Sequence, residues 1–215
     1  MNTPMKFLAT GAIACAAFCT SVVAEAAIFV KIPTIPGDVR GPDGENDWFV
    51  ADSFSFGVER EMKESGEKGG TQDLNIGVGE LQECTISKSM DTASAKLAQF
   101  AINGNSPGDC EICFSNETDA EDKPICYLKY KLDRAFIKSW STSGDADDRP
   151  TEEVAFYYTK IAYGQSIETS DGGLHIDDMS WDRWKRKNWD EGLRDVLGDL
   201  GGTPPPPKPL SCDTR

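Results

Sequence analysis

The chain has 215 residues, 39% hydrophobic and 27% charged, enough for one domain with a core plus an extension and too apolar for wholesale disorder. Its 36 acids against 22 bases give a formal net charge of −14. Such a surface repels phosphate backbones and anionic membranes, which argues against nucleic acid as a partner.

Residues 1–26 read as a signal peptide. Lys6 is the positive n-region, Phe7 to Phe18 is a short uncharged Ala-rich run, and Ala24-Glu25-Ala26 sets small residues at −3 and −1 of a cleavage site before Ala27. The run falls short of the ~20 apolar residues that span a bilayer, and no second span follows. The expectation is a secreted or periplasmic product, cleaved of its leader and without a transmembrane span. Five cysteines would remain: Cys84, Cys110, Cys113, Cys126 and Cys212. An oxidising compartment pairs some of them, and an odd number leaves at least one free or joined to another chain.

Residues 27–33 form a short β-branched run ended by Pro33 and read as the first strand. Residues 48–61 read as the second, with Phe54, Phe56 and Val58 alternating with Ser53, Ser55 and Gly57. Residues 62–78 are polar and Gly-rich, a long loop of the kind that is usually functional. A strand is predicted over 78–89, then a helix over 91–102 with Asp91 or Thr92 as its cap and Gly104 as its stop. Strands at 109–115 and 125–132 flank the turn 116–124, and strands at 135–143 and 152–163 flank the turn 144–151. The last strand carries bulk on both faces (Val154, Phe156, Tyr158; Tyr157, Ile161, Tyr163), the pattern of a barrel strand or a subunit contact.

Beyond Gly164 the character changes. Over 178–200, Trp181, Trp184, Trp189 and Leu193 recur at helical spacing beside the basic stretch 183–187, which predicts an amphipathic helix and a candidate partner-binding element. Packing of that helix on its own domain is the alternative, and the interspersed acids argue against a membrane surface. Gly192 weakens the helix by about 1 kcal/mol. Pro204 to Pro207 then favour polyproline II.

Cys110-x-x-Cys113 with Cys84 and Cys126 has the ligand count of a zinc site. Residues three apart on a strand point to opposite faces, however, and export favours disulfides. Cys113 and Cys126 stand at comparable distances from the hairpin turn and form the candidate disulfide; Cys84 with Cys110 is a second candidate pair. His175, the only histidine, lies in a Gly-rich polar stretch without a nucleophile elbow. The acids at 145–148, 119–122 and 177–178 lack EF-hand spacing and read as solvated turns. Neither a catalytic set nor a metal or cofactor is expected.

Several segments in order resemble one family. Ala27-Ile-Phe-Val-Lys-Ile-Pro-Thr-Ile-Pro-Gly37 is followed by Ser53-Phe-Ser-Phe-Gly-Val58 and Thr85-Ile-Ser-Lys88. Asp91-Thr-Ala-Ser-Ala-Lys-Leu97, Pro150-Thr-Glu-Glu-Val154 and Lys160-Ile161 complete the set. Together they resemble Hcp, the haemolysin-coregulated tube protein of type VI secretion. The resemblance implies a mainly β fold, a small two-sheet β-barrel with one flanking α-helix, to which this chain adds a C-terminal helical extension. With the leader 1–26 read above, the chain divides into that leader, the barrel 27–163 that the resemblance covers and an extension 164–215. It implies a structural protein and no enzyme: hexameric rings of identical copies that stack into a tube and carry effectors, with effector or spike proteins as further partners. The 62–78 loop then reaches a neighbouring subunit, with Lys63, Glu64, Lys68, Gln72 and Leu74 as candidate contacts. An Hcp chain ordinarily has no cleaved leader and ends before this extension. The alternative is therefore a secreted monomeric binding module on the same barrel, with the C-terminal helix as cap or partner element.

Overall fold

The structure, a computed structural model, describes residues 26–64 and 74–202. Residues 1–25 of the expected leader, Lys68, Gln72, Pro204 to Pro207 and Cys212 lie outside the described residues. Among the described residues no helix is long and apolar enough to cross a membrane.

The fold is mainly β and turns on one long strand. β1 (Ala27–Lys31) lies between β2 (Phe49–Ala51) and β7 (Gly108–Thr118), and β7 pairs with β8 (Pro124–Ser143). The first half of β8 also pairs with β10 (Lys160–Glu168), which carries β11 (Leu174–Asp182) at the edge. The second half pairs instead with β9 (Thr151–Tyr157), then β6 (Cys84–Ser89) and β3 (Ser53–Ser55). One nine-stranded sheet thus folds into two facing layers about the middle of β8.

The fold line is built from two breaks that bond to each other. Arg134 has φ +48° and bends β8. Opposite it, Thr159 donates its N–H to Asp133 O at 3.0 Å and its hydroxyl to the Asp133 carboxylate at 2.7 Å. The strands expected at 125–132 and 135–143 are therefore one strand, because Asp133-Arg134 is a bend and not a reversal. The single strand expected over 152–163 is two, split at Tyr158-Thr159.

The expected barrel is not formed: the sheet stays open. Its two end strands, β2 and β3, follow one another in the chain across Asp52 and share no ladder. A covalent corner replaces the closing row of hydrogen bonds, held where Asp52 N–H donates to Ser87 O at 2.8 Å. The same run, expected as one strand over 48–61, is β2, β3 and the start of β4 (Val58–Glu64), because it serves three pairings in turn.

Between the layers, Val30, Phe49, Ile86, Ile112, Leu132, Val154, Phe156 and Ile161 are buried. Phe54 and Phe56 close this core against Tyr130, at ring separations of 4.7 and 5.9 Å. Helix α1 (Ser94–Asn103) packs Leu97 into it. Asp91 Oδ1 accepts the Ala93 N–H at 2.9 Å just ahead of the helix, and Gly104, at φ +69°, ends it. Lys88, on β6, is fully buried; its ammonium reaches Glu152 at 3.1 Å and Asp91 at 2.7 Å, and Ser94 bonds Glu152 at 2.8 Å. This cluster fastens α1 to β6 and β9.

The C-terminal region departs from its sequence reading. The helix expected over 178–200 is confined to α2 (Asp190–Leu197), and the first part of that segment is β11. Trp181 sits on a strand opposite Ile161, so the tryptophan spacing joins a strand to a turn and a helix. The boundary expected after residue 163 falls inside β10.

Candidate functional site

β4 and β5 (Leu74–Leu81) form a two-stranded hairpin that pairs with no other described strand. Of the candidate contacts, Lys63 and Glu64 end β4 and Leu74 begins β5, in register Lys63 to Asn75 and Glu64 to Leu74. The hairpin is anchored at its base. Gln82 N–H donates to Gly57 O at 2.9 Å, Tyr158 O–H donates to Gln82 O at 2.8 Å, and Leu81 packs on the core.

The base of the hairpin meets the turn that follows β11. Gly79 to Gln82 on one side and Trp181, Arg183 and Arg186 on the other line a cleft of about 400 Å³. Arg183 lies over the rings of Tyr157 (4.6 Å) and Tyr158 (5.4 Å) and donates to Tyr158 O at 3.4 Å. Trp184, next in the chain, is 77% exposed. Trp181 and Trp184 are partner candidates from the sequence, whereas Arg183 and Arg186 stand there only as part of the basic stretch 183–187.

α2 straps the outer face of the β8–β10–β11 layer. Trp189 is buried with Ala162 and Val196, and Leu193 is half-buried beside it. Lys129 on β8 pairs with Asp199 and with Glu111 (2.7 Å), and Lys131 pairs with Asp195 at 2.6 Å. Gly164 leaves room for the strap: a β-carbon there would lie 2.6 Å from Val196. Gly192 does the same for Trp189, whose ring would be 2.3 Å from an added methyl. A Gly three residues after a Trp was the available signal. We expect Gly192→Ala to lower the thermal midpoint, because overpacking costs about 1–3 kcal/mol against about 1 kcal/mol of helix propensity gained. A higher midpoint would mean that Trp189 does not seat under α2.

The strap also responds to alkali. Burial by itself would lower the Lys131 pKa, but the bond to Asp195 and the charges of Glu111, Asp195 and Asp109 outweigh it and hold the pKa above its ordinary value. A raised lysine pKa stabilises fully below the unfolded value and is lost as pH rises through the folded one. Tryptophan emission should therefore shift as α2 loosens above about pH 10.5 and not between pH 7 and 9.

Cys113 and Cys126 are joined as a disulfide, with Cα atoms 5.5 Å apart. Cys84 and Cys110, the second candidate pair, are both free buried thiols in the main core. Burial pushes the Cys84 thiol up to about 12, the neighbouring Tyr158 hydroxyl opposing the shift, and pushes Cys110 well above its ordinary value. Cys110 and Cys113 fall in separate clusters, on opposite faces of β7. The tail returns to the disulfide: Gly201 and Gly202 donate their N–H groups to Cys126 O at 3.1 and 3.0 Å. His175 is exposed and lies 3.2 Å from Asp177. Asp119 and Asp145 accept backbone N–H groups of their own turns. Among the described residues no group of three or more His, Cys, Asp or Glu is placed to hold a metal.

Comparison with known proteins gives one consistent result. The profile of a family described as "Type VI secretion system effector, Hcp" matches residues 29–164. Among solved structures, a type six secretion system protein superposes with a TM-score of 0.64 at 22% identity, over 76% of this chain and 99% of that one. Hcp1 from Salmonella typhimurium gives 0.56 at 19% identity, over 77% and 99%. Hcp2 from the same organism gives 0.51 at 16%, over 75% and 99%. These likenesses show the fold. No curated protein matches the sequence.

Proposed function

The chain belongs to the Hcp family of type VI secretion proteins, and from that membership we propose that it is a structural subunit that assembles with copies of itself. The family match over residues 29–164 carries the reading. We read the assembly as the hexameric ring that the resemblance implies, exported and able to carry effectors or meet a spike protein. Its mechanism is geometric. Open strand edges present unpaired backbone groups, and cyclic symmetry lets one surface repeat until the ring closes. The β4–β5 hairpin is bonded at its base and pairs with no other described strand, which supports the view that its far end, with Lys63, Glu64, Lys68, Gln72 and Leu74, reaches a neighbour.

Deleting residues 65–73 with a two-residue turn in their place tests this. The expected product keeps its β circular dichroism and thermal midpoint but loses its higher mass in light scattering. Retention of the parent mass would remove the hairpin from the assembly.

A second reading is favoured by the strap: a periplasmic or secreted monomer whose α2 caps a sheet face through Lys129–Asp199 and Lys131–Asp195. Truncation after Asn188 separates the two readings, since a cut at residue 163 would remove part of β10 and all of β11. If the shortened chain assembles and the full chain does not, α2 is a cap.

A further inference from the structure

We propose that the cleft between the hairpin base and the β11–α2 turn is an oxyanion site that takes a carboxylate or a phosphate group. It is a cationic recess on a chain of net charge −14. Lys31, Lys88, Lys129, Lys131 and Lys160 are each paired with an acid. Arg183 and Arg186, which line the cleft, pair with no carboxylate among the described residues.

Arg183 is already immobilised. Its guanidinium stacks on two tyrosine rings and spends one N–H on Tyr158 O. The remaining donors are held in a fixed fork, so a ligand oxyanion would lose little side-chain entropy in meeting them. Arg186 is placed by its backbone. It has φ +51°, fixed where its N–H donates to Asp182 O at 2.9 Å and Asp182 N–H donates to Lys187 O at 2.8 Å. Glycine would hold that conformation without strain; here an arginine holds it and turns its charge to the cleft. Across the cleft, Gly79 presents no side chain, and its strand partner Arg60 holds its guanidinium 3.5 Å from where a Gly79 β-carbon would lie, outside the lining itself. Glu80 is the one acid in the lining.

The anion has two possible sources that share this chemistry. It is either a small free anion or an acidic side chain of a second copy, for which the exposed turn with Asp145, Asp147 and Asp148 is a candidate. The site stands whether or not the chain forms rings; if the turn is its ligand, assembly runs partly through it.

Isothermal titration of the chain from Ala27 onward at low ionic strength tests the site. The probes are citrate, inorganic phosphate and a synthetic peptide of residues 143–149. Arg183→Gln and Arg186→Gly should each weaken binding about tenfold, the loss expected for one charge-assisted contact. Glu80→Gln should tighten it. Arg186→Gly should melt no lower than the parent, since glycine relieves the left-handed backbone, so its loss of binding is not a loss of fold. Binding of the peptide assigns the cleft to a second copy, and binding of citrate or phosphate alone assigns it to a free anion. If no probe binds, or if Arg186→Gly binds as the parent does, the site is overturned.

Discussion

Lys88→Met should destabilise the chain by about 3–5 kcal/mol, the cost of removing one partner from a buried ion pair. Lys88 and Glu152 are both fully buried side chains. Taking away the ammonium leaves the Glu152 carboxylate with Ser94 as its neighbour at 2.8 Å, while its second oxygen already lacks a partner. The damage spreads because Lys88 also holds Asp91, just ahead of α1. For a domain of this size the thermal midpoint should fall by about 10 °C. Lys88→Met combined with Glu152→Leu should recover much of the loss, because apolar replacement of a whole buried pair is often neutral. Urea titration of both variants reads these values. A loss below 1 kcal/mol in the single variant would show that the pair is not sealed from water.

The second large effect is expected at the disulfide. Cys113 and Cys126, 13 positions apart, tie strand β7 to strand β8. Closing a loop of that length restricts the unfolded chain by about 3 kcal/mol. The bridge also carries the tail: Leu200 packs against its cluster with Phe29 and Trp48, and Gly201 and Gly202 bond to Cys126 O. Cys113→Ser with Cys126→Ser should therefore lower the urea midpoint and release residues beyond α2 to proteolysis. Reductant should do the same to the parent, and Cys84 and Cys110, both already thiols, leave no other described bridge for it to act on. An unchanged midpoint under reductant would exclude the bridge as a source of stability.

Much of the β framework was legible because alternation reports which face is buried. Phe54 and Phe56 lie against Tyr130 as their spacing requires, and Gly104 stops α1 with a left-handed backbone. What the residues concealed were the places where one strand changes partners. Asp133-Arg134 falls between two expected strands, yet it bends a continuous one, and the tertiary bond from Thr159 is what marks the bend. Asp52 looks like an ordinary polar position inside a strand but is the corner between two layers. At the C-terminus, Trp181, Trp184 and Trp189 match a helical period by coincidence, being respectively half-buried on a strand, exposed on a turn and buried under α2. The cleft was invisible for a related reason. Its walls, Gly79 to Gln82 and Trp181 to Arg186, are about a hundred positions apart in the chain, and no local pattern joins them.

The most direct test is the mass and shape in solution of the chain from Ala27 onward. Light scattering coupled to size exclusion, with negative-stain images of the same peak, should give a closed ring with a mass that is a whole multiple of the subunit, six being the expected number. A single monomeric peak that persists at high concentration, with no rings on the grid, would contradict self-assembly as the function of this chain.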